Sequence, residues 1–201
     1  MTSHYIGPDG QPRCSWCGAA PEFLDYHDHE WGFPVDDDQR LFEKLCLESF
    51  QSGLSWRTIL AKRENFRSSF HHFDFHRIAR YTEHDVERLL QDEGIVRHRG
   101  KIEAVINNAW CAKELVNKEG SLAAFFWRYE PDPNTLAEPQ SVTASEESIA
   151  LSKELKKLGW KFVGPTNMYA FMQAMGLIND HAEGCSIRNT VERERNQFKR
   201  P

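Results

Sequence analysis

Cysteine and histidine residues that could bind a metal ion lie near both ends of this 201-residue chain. Cys14, Cys17 and His27 come near its beginning, and His181 and Cys185 come near its end. Structural zinc sites usually hold four Cys or His ligands in a tetrahedron, often supplied as two pairs. The two groups together therefore predict one closed metal site that is structural rather than catalytic and ties the first part of the chain to the last.

Other interpretations of these ligands remain open. Cys14 and Cys17 have the C-x-x-C spacing of a metal pair, which would leave His27 spare. The residues could also be unrelated, because nine histidines and five cysteines make chance pairs common. His181 and Cys185 are four positions apart, so we expect them to share one face of a helical turn. The N-terminal pair is expected to come from a loop segment.

A carboxylate with several aromatic residues forms a second group that could carry chemistry. Glu48 lies at the end of a predicted apolar helix, and Trp56 follows a Gly-Leu-Ser turn. The carboxylate could bind a flat heterocycle through hydrogen bonds or charge, while Trp16, Tyr26 and Trp31 stack on it. Each aromatic residue considered alone is more simply interpreted as core.

A basic break joins two predicted amphipathic helices. It contains Arg97, Arg99 and Gly100, and Lys101 opens the second helix. Amide groups at a helix start can bind a phosphate, and neighbouring Arg and Lys strengthen that binding. The pattern predicts a helix-hairpin-helix DNA-binding element over about residues 82–119. The Gly-apolar-Gly core of the usual hairpin is absent, so a solvated helix connection is the alternative.

Apolar residues recur at helical spacing along most of the chain, and alternating strand patterns are not evident. Thr82 and Asp85 resemble a capping pair, and helices are also expected over 146–158 and 166–176. The spacing predicts an all-α fold with one domain over residues 11–187. Residues 1–10 are expected to be flexible, and residues 188–201 to form a polar, frayed tail.

Composition narrows the class of protein. Hydrophobic residues make up 40% and charged residues 27%, as in ordinary globular domains. No apolar run approaches the ~18 residues of a membrane span, and no signal peptide is evident. The odd number of cysteines argues against a disulfide framework, so we expect a cytoplasmic protein. The net charge of -5 does not exclude nucleic acid, because phosphate binding requires only a local basic patch.

Several motifs in one order identify a known family. From Arg13 to Cys185, the chain resembles the 3-methyladenine DNA glycosylase I family, constitutive bacterial alkylation-repair enzymes of the helix-hairpin-helix superfamily. The motifs are Arg13-Cys14-x-Trp16, Tyr26-His27-Asp28-x-Glu30-Trp31-Gly32, Leu47-Glu48-x-x-Gln51-x-Gly53-Leu54-Ser55-Trp56, Arg97-His98-Arg99-Gly100-Lys101-Ile102, Lys161-Phe162-Val163-Gly164 and Asn179-Asp180-His181-x-x-x-Cys185.

The resemblance implies an all-α glycosylase fold in which one structural Zn²⁺ holds the N- and C-terminal regions together. By position, the implied zinc ligands are Cys14, His27, His181 and Cys185, and Cys17 is then an additional thiol.

The resemblance also implies a pocket for the damaged base and a DNA surface. The implied base-recognition residues are Glu48, Tyr26, Trp16 and Trp56. The implied partners are double-stranded alkylated DNA and the released base, 3-methyladenine, with the enzyme acting as a monomer and away from membranes.

The expected activity is hydrolysis of the N-glycosidic bond of 3-methyladenine after the base has been flipped into the pocket. Related glycosylases use an Asp soon after the hairpin, but no Asp lies between Gly94 and Pro131. Adenine methylated at N3 is cationic and leaves as a neutral base, so it requires less catalytic help. No lysine nucleophile is evident, and no strand-cleaving lyase step is expected. A DNA-binding domain without activity, a zinc hydrolase and an enzyme acting on free bases are the alternative classes.

Overall fold

Eleven α-helices form most of residues 4–201, the part of the chain that this computed structural model describes. The helices are α1 (Glu22–His29), α2 (Asp38–Gln51), α3 (Trp56–Ala61), α4 (Arg63–Ser69), α5 (Phe75–Ile78), α6 (Glu83–Gln91), α7 (Arg99–Glu119), α8 (Leu122–Phe126), α9 (Glu146–Lys157), α10 (Pro165–Ala174) and α11 (Arg188–Gln197). Short 3-10 turns occur at Ser15–Ala19, His71–Phe73, Trp127–Tyr129 and Pro133–Thr135. The predicted all-α class is confirmed.

Helix α2 occupies the centre of the fold and packs against α7, α8 and α10. Its first turn is capped by Asp37, whose carboxylate accepts a hydrogen bond of 2.8 Å from the amide of Arg40. Leu41, Phe42 and Leu45 are fully buried, as the helical spacing of apolar residues requires. The buried face continues to the end of the helix, so polar side chains on it are held in fixed positions.

The predicted capping pair at the start of α6 is present. The carboxylate of Asp85 accepts a hydrogen bond of 2.9 Å from the backbone amide of Thr82, and the Thr82 side chain caps the first turn. Such a box satisfies two amides that the helix itself leaves free. A connection over residues 92–98 then leads to α7, which gives the two-helix arrangement that the sequence predicts.

Both chain ends are more ordered than the sequence analysis predicts. Residues 1–3 of the expected flexible N-terminus lie outside the described part, but β1 (Tyr5–Ile6) pairs antiparallel with β2 (Pro12–Arg13). The expected frayed tail contains helix α11. Val191 of this helix is fully buried, and the Arg195 guanidinium pairs with Glu130 at 3.0 Å. The polar composition of α11 conceals its few inward-facing positions, and the expectation of a frayed tail was wrong.

Lys101 stabilises the C-terminal end of α2 from the first turn of α7. Its ammonium donates hydrogen bonds to the carbonyl oxygens of Phe50 (2.8 Å) and Ser52 (2.5 Å), and the residue is 7% exposed. Carbonyl groups at a helix end lack partners within the helix, and a cation there is favourable.

Replacing Lys101 with Met is expected to lower the free energy of unfolding by about 1–3 kcal/mol, because the carbonyl groups of Phe50 and Ser52 lose a charged donor. Urea unfolding monitored by circular dichroism measures the change. Lys153→Met is the control, since Lys153 is exposed on α9 and its loss should change stability by less than about 0.5 kcal/mol. Equal effects of the two substitutions would contradict the role assigned to Lys101.

Candidate functional site

A cavity of about 340 Å³ brings together all four residues that the sequence analysis predicts for base recognition. They are Trp16 in the first 3-10 turn, Tyr26 in α1, Glu48 in α2 and Trp56 at the start of α3. The remaining lining residues are Phe23, Trp31, Gln51, Gln140, Ala170 and Gln173. The volume and the aromatic lining are suited to a flat heterocycle of purine size.

Aromatic rings form most of the pocket wall. The Tyr26 and Trp56 rings have centroids 5.4 Å apart, and the Trp16 and Trp31 rings meet edge to face at 5.2 Å. Contacts of this kind fix ring positions and leave ring faces for stacking with a ligand. The lining rings come from separate short segments of the sequence, and their close packing in the fold produces one continuous aromatic surface.

Glu48 is buried in this wall and is paired with a lysine that the sequence analysis missed. The ammonium nitrogen of Lys44 lies 2.7 Å from Glu48 Oε1, and it donates a second hydrogen bond of 2.9 Å to the Tyr26 hydroxyl oxygen. It also lies 3.4 Å from the centroid of the Trp56 ring, a cation–π contact. The pocket carboxylate therefore has one oxygen occupied before any base enters.

The sequence did contain a signal for this pair. Lys44 precedes Glu48 by four positions on one helix, the spacing at which side chains are neighbours. Burial lowers the pKa of Lys44, and the charge of Glu48 opposes that shift. Burial and then the charge of Glu48 raise the pKa of Tyr26 well above its usual value, so this hydroxyl keeps its proton at neutral pH.

Two glutamines on the pocket wall are oriented by one buried aspartate. Gln173 donates a hydrogen bond of 2.6 Å from Nε2 to Asp180 Oδ2, and the backbone amide of Gln140 donates one of 3.0 Å to Asp180 Oδ1. The side-chain Nε2 of Gln140 donates a further hydrogen bond of 3.1 Å to the backbone carbonyl oxygen of Asp180. Neither glutamine had a sequence signal, because they come from a loop and from α10, distant from the other pocket residues.

A buried group of Cys and His side chains lies behind the pocket. The ligand atoms of Cys14, His27 and Cys185 are all within 4.8 Å of one another, and His27 Nε2 is 3.6 Å from Cys185 Sγ. The ring of His181 lies beside this group, with its centroid 4.7 Å from that of His27. Two thiols and two imidazoles are the donor set that zinc prefers.

Both histidines are hydrogen-bonded at Nδ1, which leaves Nε2 of each as the ring nitrogen that can bind a metal. His27 Nδ1 is bonded to Asp28 at 2.7 Å, and His181 Nδ1 to Asn179 at 3.1 Å. His181 Nε2 is buried, and no residue between 4 and 201 forms a hydrogen bond with it. Bonds at Nδ1 fix the tautomer in which Nε2 carries the lone pair, as in metal-binding histidines. The residues present thus fit a four-ligand metal site.

Electrostatics around the ligands also suit a cation. Burial lowers the pKa of His181 to about 4, so its imidazole is neutral and able to bind a metal at neutral pH. Burial acts to raise the pKa of Asp28, but hydrogen bonds from Arg13 and His27 outweigh it and keep the pKa lowered. Arg13 holds that carboxylate through bonds of 2.8–3.0 Å.

The local structure of the ligand segments differs from the expectation in two ways. His27 lies in α1 rather than in a loop, and His181 and Cys185 lie in a non-helical turn before α11. The segment between His181 and Cys185 contains Gly184 at φ 81°, which is incompatible with a helical turn. Cys17 is buried but lies outside the group of three ligand atoms that the structure brings together.

The metal-ligand cluster and the pocket are in direct contact. The Trp16 ring meets the His27 ring at a centroid distance of 5.1 Å, and the Trp31 ring meets the His181 ring at 4.7 Å. Because both tryptophans also line the pocket, any change in the position of the two histidines is transmitted to its wall.

The predicted DNA-binding residues have different environments. Lys101 was expected to contact phosphate, but its ammonium is buried against α2, so that prediction was wrong. Its backbone amide is also occupied, since His98 Nδ1 accepts from it at 3.2 Å. Arg99 is exposed but forms ion pairs with three glutamates of α6 and α7, Glu83, Glu87 and Glu103.

Arg97 is the most available of the predicted cations in this region. Its side chain is 51% exposed, and its ion pair with Glu93 is long, at 3.7 Å. Gly100 lies in the first turn of α7, and a side chain there would meet the His98 ring at 3.3 Å.

No helix in residues 4–201 has the length and apolarity to cross a membrane.

Comparisons with known proteins agree on one family. The sequence model described as methyladenine glycosylase matches residues 16–189. The chain is 50% identical to DNA-3-methyladenine glycosylase 1 of Escherichia coli over 180 residues, which are 86% of this chain and 95% of the relative. It is 44% identical over 182 residues to DNA-3-methyladenine glycosylase of Haemophilus influenzae, covering 89% and 98% of the two chains.

Solved structures give the same result. A crystal structure of 3-methyladenine DNA glycosylase I superposes with a TM-score of 0.82 at 49% identity and covers 87% of this chain and 98% of the other. A structure of the Staphylococcus aureus enzyme, solved to explain 3-methyladenine recognition, has a TM-score of 0.78 at 36% identity and covers 84% and 92%.

Proposed function

The chain belongs to the methyladenine glycosylase family, and we propose that the aromatic pocket around Glu48 is where it binds the damaged base. The protein is a glycosylase of base-excision repair that hydrolyses the N-glycosidic bond of 3-methyladenine in DNA. The observation that supports this site best is the position of a buried carboxylate among the rings of Trp16, Tyr26 and Trp56.

The pocket chemistry suits a base that is a good leaving group. A cationic purine stacks favourably on electron-rich rings, and the carboxylate oxygen that Lys44 leaves free can accept a hydrogen bond from it. Bond cleavage turns the cation into neutral 3-methyladenine without an added proton. The pocket therefore has to capture the extruded base and orient it, and damaged bases cost less to extrude than paired ones.

The decisive experiment for this function is chromatography of the bases that the purified protein releases from methylated double-stranded DNA. Release of 3-methyladenine, with intact strands after the reaction, is the expected result. Strand cleavage would contradict the absence of a lyase step. Failure to release the base, or release only from free nucleosides, would contradict the proposed site.

We also propose that double-stranded DNA is bound at the connection between α6 and α7, which would act as a helix-hairpin-helix element. Arg97 and the amide of Gly100 are the groups that support this proposal, because Arg99 is paired and Lys101 is buried. We propose that the enzyme acts as a monomer, since the pocket is lined by residues of one chain. We also propose that it works in the cytoplasm, because its five cysteines are free thiols.

Replacing Arg97 with Gln is expected to weaken binding to duplexes of any sequence and to reduce the slope of log K against log salt by about 0.9. Fluorescence anisotropy with an undamaged duplex at several salt concentrations measures the slope. Lys101→Met is the matched control, since it removes one cation that is buried away from solvent. A slope that is unchanged in the Arg97 variant would place the DNA contact elsewhere.

The four buried Cys and His residues are proposed to hold one structural Zn²⁺. The support is the donor set of Cys14, His27, His181 and Cys185 and the unpartnered Nε2 of His181. A bound zinc would fix these residues, and the protein itself would supply all four ligands, leaving no position for a reactive water. The ion would thus support the pocket wall without taking part in hydrolysis.

A further inference from the structure

Lys44 is a buried cation beside the base pocket, where a positive charge disfavours the binding of a cationic base. Its ammonium nitrogen has three close contacts: Glu48 Oε1 at 2.7 Å, the Tyr26 hydroxyl at 2.9 Å and the Trp56 ring at 3.4 Å from the centroid. These contacts match the three N–H donors of an ammonium group. A buried ammonium at this position must have a function whose benefit to ligand binding exceeds the repulsion between it and a cationic base.

We propose that Lys44 is a positioning residue that gives the pocket one fixed hydrogen-bond donor and one fixed acceptor. An ammonium group can only donate, so the Tyr26 oxygen must accept from it, and the single Tyr26 proton remains available for a ligand. The same ammonium contacts Oε1 of Glu48, which leaves Oε2 as the acceptor for a ligand. This inference rests on the proposed function of the pocket.

One donor beside one acceptor is complementary to the edge of an adenine ring. Adenine presents an amino group at C6 as donor and N7 as acceptor, whereas guanine presents two acceptors, O6 and N7. With Tyr26 and Glu48 fixed by Lys44, a 6-amino purine satisfies both groups, and a 6-oxo purine leaves the carboxylate facing an oxygen. Lys44 would thus exclude 3-methylguanine by fixing the polarity of groups that touch the base.

Lys44→Met tests the inference, because it keeps most of the length of the side chain and removes the charge. Binding of free 3-methyladenine and of free 3-methylguanine to wild type and variant is measured by tryptophan fluorescence at neutral pH. The variant is expected to bind 3-methyladenine about tenfold more weakly. Its preference for 3-methyladenine over 3-methylguanine should fall as well, because the Tyr26 hydroxyl and the Glu48 carboxylate lose the group that fixes them.

Arg195→Met is the matched control, since it removes another buried cation from an ion pair, with Glu130, away from the pocket. Its affinity for 3-methyladenine and its preference between the two bases should match those of wild type. If circular dichroism shows that Lys44→Met is unfolded, Lys44→Gln takes its place, because it also lacks the charge and should give the same losses.

Three results would overturn the inference. An affinity of the Lys44 variant for 3-methyladenine that equals the affinity of Arg195→Met would reduce Lys44 to a structural role. Unchanged preference for 3-methyladenine over 3-methylguanine in the Lys44 variant would remove it from specificity. A wild-type protein that binds neither base overturns the proposed function and this inference together, whereas a wild type that binds normally beside an unaffected variant overturns the inference alone.

Discussion

Replacing His181 with Ala is expected to remove the bound metal and to lower the free energy of unfolding by about 4 kcal/mol, the stabilisation given by a ligand present at about a thousand times its dissociation constant. The physical reason is that Cys14, His27 and Cys185 can bind an ion tightly only as part of a complete tetrahedron. Metal content by mass spectrometry and unfolding in urea, with and without a chelator, measure the two effects.

Two controls separate metal loss from the loss of a histidine or a thiol in general. His29 is exposed on α1, so His29→Ala should keep both the metal and the stability. Cys17 is buried but lies outside the ligand group, so Cys17→Ala should keep the metal, whereas Cys14→Ala should lose it. A wild-type protein that is free of metal and insensitive to chelator would eliminate the zinc proposal. Retention of metal in Cys14→Ala but not in Cys17→Ala would reassign the ligand.

The second large effect is expected from Glu48→Gln, which should weaken binding of free 3-methyladenine ten- to a hundredfold. A charged hydrogen bond in a partly desolvated site contributes about 1.5–3 kcal/mol, and the amide keeps the shape but loses the charge. Lys44 would then remain buried without an anionic partner, which leaves its charge uncompensated beside the base. A fluorescence titration of wild type and variant, with adenine as the comparison ligand, measures the loss.

Glu130→Gln is the control for this substitution, because Glu130 also pairs with a buried cation, Arg195, but lies outside the pocket lining. Duplex affinity should be unaltered in both variants, since phosphate contacts are separate from the pocket. Equal affinity of wild type and Glu48→Gln for 3-methyladenine would remove Glu48 from base recognition.

The success of prediction from sequence differed between residue types for physical reasons. The Thr82–Asp85 box depends on neighbouring residues alone, so the sequence contained all of the information that determines it. Family motifs named Trp16 and Glu48, which the structure places in one cavity. Lys101 was assigned to phosphate binding because it opens a helix beside Arg97 and Arg99, and only tertiary packing shows that the end of α2 lies against its ammonium.

Lys44 illustrates the opposite failure. Its spacing from Glu48 was visible, but the spacing of an ion pair is common on exposed helix faces, where its contribution is small. Its importance depends on burial and on the Tyr26 and Trp56 contacts, which come from other elements. The helical face that turns inward could be derived from apolar spacing, whereas the partners that it meets there could not.

The contact between His27 and Cys185 joins residues 158 positions apart, and it has a consequence for synthesis on the ribosome. Chains emerge from the N-terminus at about 5–20 residues per second, so His27 waits on the order of ten seconds for its partners. Trp16 packs against His27, Trp31 packs against His181, and both tryptophans also line the pocket. Nascent chains that lack the last segment therefore lack His181 and Cys185, which pack against residues behind the pocket wall, and we expect them to bind a base more weakly than completed molecules.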